Sequence, residues 1–337
     1  MAVSIAQSEE LLYSRWSGYN YYKPLKERFS SAIGDYSLLV NVRSGQKCFW
    51  IPVPQHRNKL SISHWLYMIS HPPVSTQFVW PIDIIDGPNG NALVFPIQSS
   101  LQAPTTSVLS ENNTLEYEET VDQDNGGFTF GIPRSSRHFG LEAQWAKHTL
   151  LDLLHIFDML ETEGYAPHDI SNKSLFAFDD RIVLDFSFDT QIVPLEGSFD
   201  LPIACGCPDY ADPYYWGQKK GDLISARFSL ASVVFKLIIG ILPYKGRAAH
   251  DYGGDNKDQH YGWLEQYFAN PVFIFEQNES NALPAMAENI VYVQRWERLP
   301  EKSRQMFVSV FACENAMRRN GKTVSYSAKE WLESLPI

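Results

Sequence analysis

Hydrophobic and polar positions change their period twice along this chain. From Tyr36 to Val53 the run YSLLVNVRSGQKCFWIPV holds two short apolar stretches broken at Arg43-Ser-Gly-Gln46, which predicts a β-hairpin. A helical stretch over Ser61–Ser70 follows. Two more strand-like runs, Phe78–Ile85 and Ala92–Ile97, are separated by the turn-forming Asp86-Gly-Pro-Asn-Gly90. Residues 99–138 lose periodicity and turn polar and acidic, the pattern of a linker or insertion whose charges are solvated. From Leu141 the period becomes helical, with an apolar stripe of Leu150, Leu151, Leu154, Phe157 and Leu160 ending at Gly164. Strand-like runs at Leu175–Phe178 and Ile182–Phe186 precede an irregular segment to Tyr215. Helices are then predicted at Ser225–Ile239, Trp263–Phe268, Glu301–Phe311 and Ser327–Leu335. No internal repeat is visible. The fold class is α+β, a small β-rich part followed by a larger helical part.

Composition narrows the function. The chain has 28 basic and 39 acidic side chains among 337 residues, a net charge of −11. Affinity for phosphate backbones rests on clustered Lys and Arg, so a general nucleic-acid binder and a polybasic membrane anchor are not expected. The most apolar stretch, Leu230–Leu242, contains Lys236 and is too short for a bilayer span; it reads as a buried core helix. The N-terminal MAVSIAQSEELL lacks a basic head and apolar run, and a cytoplasmic location is expected. Cys48, Cys205, Cys207 and Cys313 have no zinc-type spacing and read as small buried hydrophobes in a reducing compartment.

Five stretches, in order, resemble the protein kinase superfamily. GYAPHDISNKSLFAFDDRIVLDFSF is similar to the catalytic loop, a hairpin and the metal-binding DFG segment. GCPDYADPYYW resembles the end of an activation segment, with Asp212-Pro213-Tyr214 on the APE motif. ARFSLASVVFKLIIGILPYKGR resembles the helix that follows, LYMISHPPVSTQFVWPIDIIDGPNGNALVFP the run from helix αC to the hinge, and SAKEWL the last helix. The C-terminal half most resembles bacterial kinase-like proteins found alongside von Willebrand-A and metal-dependent phosphatase partners. The resemblance implies a bilobal fold. An N-terminal extension and degenerate phosphate loop would cover residues 1–35, a small lobe 36–98, a hinge and acidic insertion 99–140, and a helical lobe 141–337.

The resemblance also assigns chemistry. It places Asp169 on the catalytic aspartate, Asp185 on the metal ligand of DFG, and Ser174 where the second metal ligand would be an asparagine, with Asn172 close enough to substitute. Lys47 and Phe95 fall at the nucleotide cleft. Phosphoryl transfer depends on holding phosphates and metals in place, and several parts that do this are missing. The region FSSAIGDYSLLV has a single glycine, Gly34, where a glycine-rich loop is expected. Pro52 stands where the strand lysine belongs, with Lys47 and Lys59 as candidate replacements. The stretch Leu60–Ser70 has no glutamate to pair with such a lysine. Tyr214 and Ser325 occupy the positions of a family ion pair, and Ala226 that of a helix aspartate, so these are expected losses. The resulting reading is a pseudokinase, a regulatory or scaffolding module with protein partners and weak or no nucleotide binding. The alternative is an active, atypical Ser/Thr kinase that uses ATP and Mg2+, with Asp169 as base, Asp185 on the metal and a relocated lysine. A small-molecule phosphotransferase shares the two-aspartate pattern, but the helix ending in GILPYKGR favours the protein-kinase type.

Overall fold

A computed structural model of the chain describes residues 11–31, 34–53, 62–74, 78–87, 90–97, 140–142, 144–168, 175–178, 181–185, 191–194, 210–214, 222–247, 268–276, 281–283, 289–319 and 321–337. The chain divides into two compact units, Met1–Ser107 with Leu184–Ser187, and Val108–Val183 with Phe188–Ile337. The acidic insertion, most of the expected helix at Trp263–Phe268, and Cys205 and Cys207 lie outside the described residues.

The first unit is built on a six-stranded antiparallel sheet. Its strands are β1 (Leu12–Tyr13), β2 (Tyr21–Ser31), β3 (Gly34–Asn41), β4 (Lys47–Pro52), β6 (Asp83–Gly87) and β7 (Gly90–Pro96), in the order β1-β2-β3-β4-β7-β6. Helix α1 (Ile62–Ser70) and a two-residue strand β5 (Phe78–Val79) complete it. The expected hairpin is present as β3–β4, with Asn41 Oδ1 accepting the N–H groups of Arg43 and Ser44 in the turn. The sheet begins well before residue 36, which the sequence reading had treated as an extension. β2 escaped that reading because YYKPLKERFSS carries charges and a proline instead of an apolar alternation. Only Tyr21 and Tyr22 pair with β1; beyond them, Pro24, Lys26 and a register shift before Arg28 occupy the edge of β2. Proline, charge and irregularity are ordinary means of discouraging edge-to-edge pairing.

At one end the sheet curls back on itself. Ser14 bridges Ile85 of β6, and the Arg15 N–H donates to the Ile84 carbonyl at 2.8 Å. Leu12, Tyr22, Leu39, Cys48, Ile85, Ala92 and Val94 pack together inside this curl, with Trp50 against them. Asp83 is fully buried beside this cluster. Its carboxylate accepts from the Ser14 hydroxyl (2.7 Å), the Tyr22 phenol (3.0 Å), the Asn20 amide (3.5 Å) and the Ile84 N–H (2.8 Å). Burial first and the Asp83 charge second push the Tyr22 phenol far above its ordinary value, so it stays a donor. The same two causes push the Cys48 thiol up to about 11, an inert side chain. Asp83→Leu would leave two buried hydroxyls without their acceptor. It should cost about 2 kcal/mol or more in urea denaturation, with Asp83→Asn milder. Equal stability of parent and Asp83→Leu would show that the network does not hold the first strand.

The second unit is mainly helical. Its helices are α2 (Gln144–Thr162), α3 (Leu223–Ile239), α4 (Ile290–Arg298), α5 (Glu301–Phe311), α6 (Cys313–Ala316) and α7 (Ala328–Ser334). The stripe expected on α2 is buried at Leu150, Leu154, Phe157 and Leu160, together with Leu153 and Ile156. α3 is buried along nearly its whole length, as its all-round apolar sequence requires. Asp222 caps its N-terminus by accepting the Ser225 N–H at 2.8 Å. Gly240, at φ 101°, ends it in a left-handed turn that returns its N–H to the Lys236 carbonyl. Lys236 is buried and donates to the Tyr210 hydroxyl at 3.1 Å. Arg227 on α3 makes a two-pronged contact with Glu161 on α2 at 3.2 and 2.8 Å. Ser327 and Glu330 cap α7 reciprocally, and α7 packs on α2 with Trp331 buried. Among the described residues no helix is long and apolar enough to cross a membrane.

Short strands flank the expected catalytic segments. β8 (Tyr165–His168) pairs antiparallel with β11 (Gln191–Pro194), and β9 (Leu175–Phe178) neighbours β10 (Arg181–Asp185). The last residues of β10, Leu184 and Asp185, pair in parallel with Phe78 and Val79 of β5 within the first unit.

Candidate functional site

Strand alternation decides which side chains of β4 can act together. Lys47, Phe49 and Ile51 point to one face of the sheet, and Cys48, Trp50 and Pro52 to the other. Pro52, in the expected lysine position, therefore lies on the side that packs against the curled sheet's interior, with Trp50. Phe95 sits opposite Phe49 across the β4–β7 pair and shares the Lys47 face. The two expected cleft residues thus do fall on one face. Phe95 is fully buried, its ring stacked on Phe49 with centroids 5.2 Å apart, and Phe49 stacks in turn on Tyr36 at 5.0 Å. Lys47 is at the exposed end of this face, its Nζ 3.1 Å from Glu27 Oε2 on β2. An exposed pair of this kind is worth about 0–1 kcal/mol and does not fix the lysine strongly.

Among the described residues, the helix that follows β4 offers no partner for a phosphate-gripping lysine. α1 (ISHWLYMIS) contains no carboxylate. The β2–β3 strands stay paired up to Ser31 and Gly34, so two residues separate them and Gly34, the first of β3, is the one glycine there. Backbone N–H groups reach phosphates most easily where several glycines remove the Cβ barrier. In its described residues, the first unit does not fit a nucleotide phosphate grip. Lys59 lies outside the described residues.

The remaining candidates neighbour β8, β9 and β10 in the sequence. Asp169 immediately follows β8, and Asn172 and Ser174 precede β9; all three lie outside the described residues. Asp185 closes β10, and its backbone pairs with Val79. Among the described residues there is no cluster of three His, Cys, Asp or Glu able to hold a metal ion.

The best-defined polar cluster belongs to the second unit, and the sequence reading missed it. Tyr214, Ser325 and Ala226 had suggested that a structural ion pair and a helix carboxylate were both lost. Instead Asp212, two residues before Tyr214, pairs with Arg318 at 2.7 Å. The guanidinium also donates to both Asp222 oxygens (2.7 and 3.0 Å) and to the Ser225 hydroxyl (3.0 Å), and lies 4.3 Å over the Tyr214 ring. The Ser225 hydroxyl in turn donates to Asp212 Oδ2 at 2.9 Å, and the Tyr214 N–H to Asp212 Oδ1 at 3.0 Å. Burial pushes the Asp212 carboxyl up, against the pull of Arg318 and the two other donors. Burial acts in the same sense on the more accessible Asp222, but there the Arg318 and Ser225 hydrogen bonds outweigh it and hold the carboxyl below its ordinary value. The Arg318 guanidinium, which burial alone would weaken, is raised by the two carboxylates. A buried ion pair is therefore present close to the positions where the resemblance implied a loss.

No family model matches the chain, and no curated protein matches it. A solved structure described as titin kinase and its flanking domains is similar over 93% of this chain at 12% identity, with a TM-score of 0.54. The chain spans 46% of that structure's length. The strand order, the helical second unit and this likeness agree with the motif resemblance at the level of architecture: the chain has a protein-kinase-like fold.

Proposed function

We propose that the chain is a pseudokinase, a regulatory or scaffolding module in phosphorylation signalling that binds nucleotide weakly or not at all. The observation that carries this reading is the state of β4 and α1. The one cation on β4, Lys47, meets Glu27 in an exposed pair, and α1 offers no carboxylate as a partner. Without that pair, and without a glycine-rich turn in the sequence, the described residues lack the groups that would position a triphosphate. Losing one preorganised charge contact typically costs a hundredfold or more in rate, about 3 kcal/mol, so several losses leave little activity. Asp169 and Asp185 are then retained without a catalytic role, Asp185 at the end of β10. The resemblance of the C-terminal half to bacterial kinase-like proteins supports a signalling setting with protein partners.

A thermal-shift titration of the whole chain with ATP, with and without Mg2+ or Mn2+, tests this. The expected result is a shift of less than about 1 °C at millimolar nucleotide, since stabilisation by a ligand scales with its concentration over Kd. A metal-dependent shift lost in Asp185→Ala, together with phosphate transfer lost in Asp169→Ala, would replace this reading with the active atypical kinase.

A further inference from the structure

A shielded donor without an acceptor stands on α5. The Nε of Arg304 is out of contact with solvent and has no hydrogen-bond partner, and no carboxylate among the described residues pairs with its guanidinium. Glu301, three residues earlier, has the spacing to do so, yet it accepts from Gln305 Nε2 at 3.0 Å. An arginine left in this way carries a desolvation cost that an incoming anion recovers.

The surroundings say what else the anion must carry. Arg304 lines an open groove of about 420 Å³, with Trp296 of α4, Val308 of α5 and Ala312 supplying apolar wall. Trp296 is held from behind, stacked on Phe275 at 4.5 Å with Phe273 edge-on at 5.7 Å. A ring fixed before binding loses little entropy on contact, and tryptophan and arginine are the side chains that most often dominate an interface. The apolar surface runs on along α4. Val293 and Ile290, one and two turns before Trp296, are exposed to 37 and 55%. A free small acid would fill the groove and leave that stripe in water, whereas a peptide segment covers both.

Charge sets the kind of anion. Glu301 lines the same groove as Arg304, so a single carboxylate meets less repulsion there than a doubly charged phosphate. A basic segment would face like charge and leave the guanidinium unpaired.

We propose that this groove, with Arg304, Trp296 and Val308 at its centre, is the docking site for a partner-protein segment that sets one Asp or Glu carboxylate on Arg304 and a large apolar side chain on Trp296. The proposal deepens the partner-binding half of the function proposed above and rests on that reading only for the existence of a partner.

Panning the whole chain against a phage-displayed library of random dodecapeptides tests it, with the hits remade as fluorescein-labelled peptides for anisotropy. The expected hits carry an Asp or Glu within about four residues of Phe, Leu or Trp and bind with Kd on the order of 1–100 μM. Exchanging the acid for its amide should weaken binding about tenfold or more, and Arg304→Met should do the same. Val308→Glu should also weaken it, by placing a charge in the apolar wall. Arg304→Met should leave the melting midpoint of the free chain unchanged or higher, because it removes a donor that has no acceptor. Hydrogen exchange should slow across residues 290–312 when a hit is bound. No enriched peptide, hits without an acid, hits that bind Arg304→Met as well as the parent, tighter binding with phosphoserine in place of the acid, phenylacetate binding as tightly as the hits, or a lower midpoint for Arg304→Met would each overturn the proposal. A chain that shifts with ATP and Mg2+ yet binds the hits through Arg304 would sink the pseudokinase reading and leave this groove standing.

Discussion

Arg318→Ala is expected to lower the stability of the second unit by about 3–5 kcal/mol, the usual penalty for stripping one partner from a buried ion pair. The Asp212 side chain is 3% exposed and that of Arg318 13%, so the carboxylate left behind cannot recover its hydration. Four hydrogen bonds to Asp212, Asp222 and Ser225 and the contact with the Tyr214 ring would go together. Arg318→Lys should recover part of the loss, because an ammonium keeps the charge but cannot fork between two carboxylates. Arg318 also sits at φ 50°, the only described non-glycine residue in the left-handed region, so the backbone there is strained to bring the guanidinium in. A double replacement of Arg318 and Asp212 by alanine should cost less than the sum of the singles, since the second change removes the orphaned charge. Urea denaturation of the four proteins measures this. An Arg318→Ala midpoint within about 1 kcal/mol of the parent, or strict additivity in the cycle, would mean the cluster is solvated and holds nothing.

That cluster also shows what could be read from the chain and what could not. Helix α3 was legible because thirteen consecutive residues from Leu230 are almost all apolar, with a glycine where the helix stops. α5 and α7 were legible because their apolar period and, at Ser327 and Glu330, their capping residues are local. β2 was not, because its edge position replaces alternation with charge and its one well-buried described side chain is Tyr22. The Asp212–Arg318 pair joins residues 106 apart, and position-by-position resemblance, which drew attention to Tyr214 and Ser325, had no means of finding it. A motif says which residue has been replaced at one place. It does not say that a neighbour two residues away has taken over the contact. The same limit applies to β4, where the missing lysine was visible at Pro52, but the Lys47–Glu27 contact depends on the pairing of β2, β3 and β4.

Acid is expected to loosen the first unit through His64. This residue lies on α1, 2% exposed, with its ring edge-on to Trp65 at 5.5 Å. Burial lowers its pKa from 6.5 to about 4, because an imidazolium there would lose its hydration. The folded protein therefore holds His64 neutral until about pH 4, whereas the unfolded chain takes up the proton from about pH 6.5 downward. Stability from this group is complete above pH 6.5 and declines as pH falls toward 4, where the loss reaches about 3 kcal/mol. Carboxylates add their own acid dependence, so the informative quantity is the difference between the parent and His64→Phe. That variant should have a pH-independent offset of its own, and the parent should lose about 3 kcal/mol more than it does between pH 7 and pH 4. Parallel profiles would place the imidazole in contact with water. The buried positions of α1 are His64, Trp65, Met68 and Ile69, with no acid among them. A helix docked through those side chains is held by burial and by a histidine kept neutral, so its attachment weakens as the pH falls.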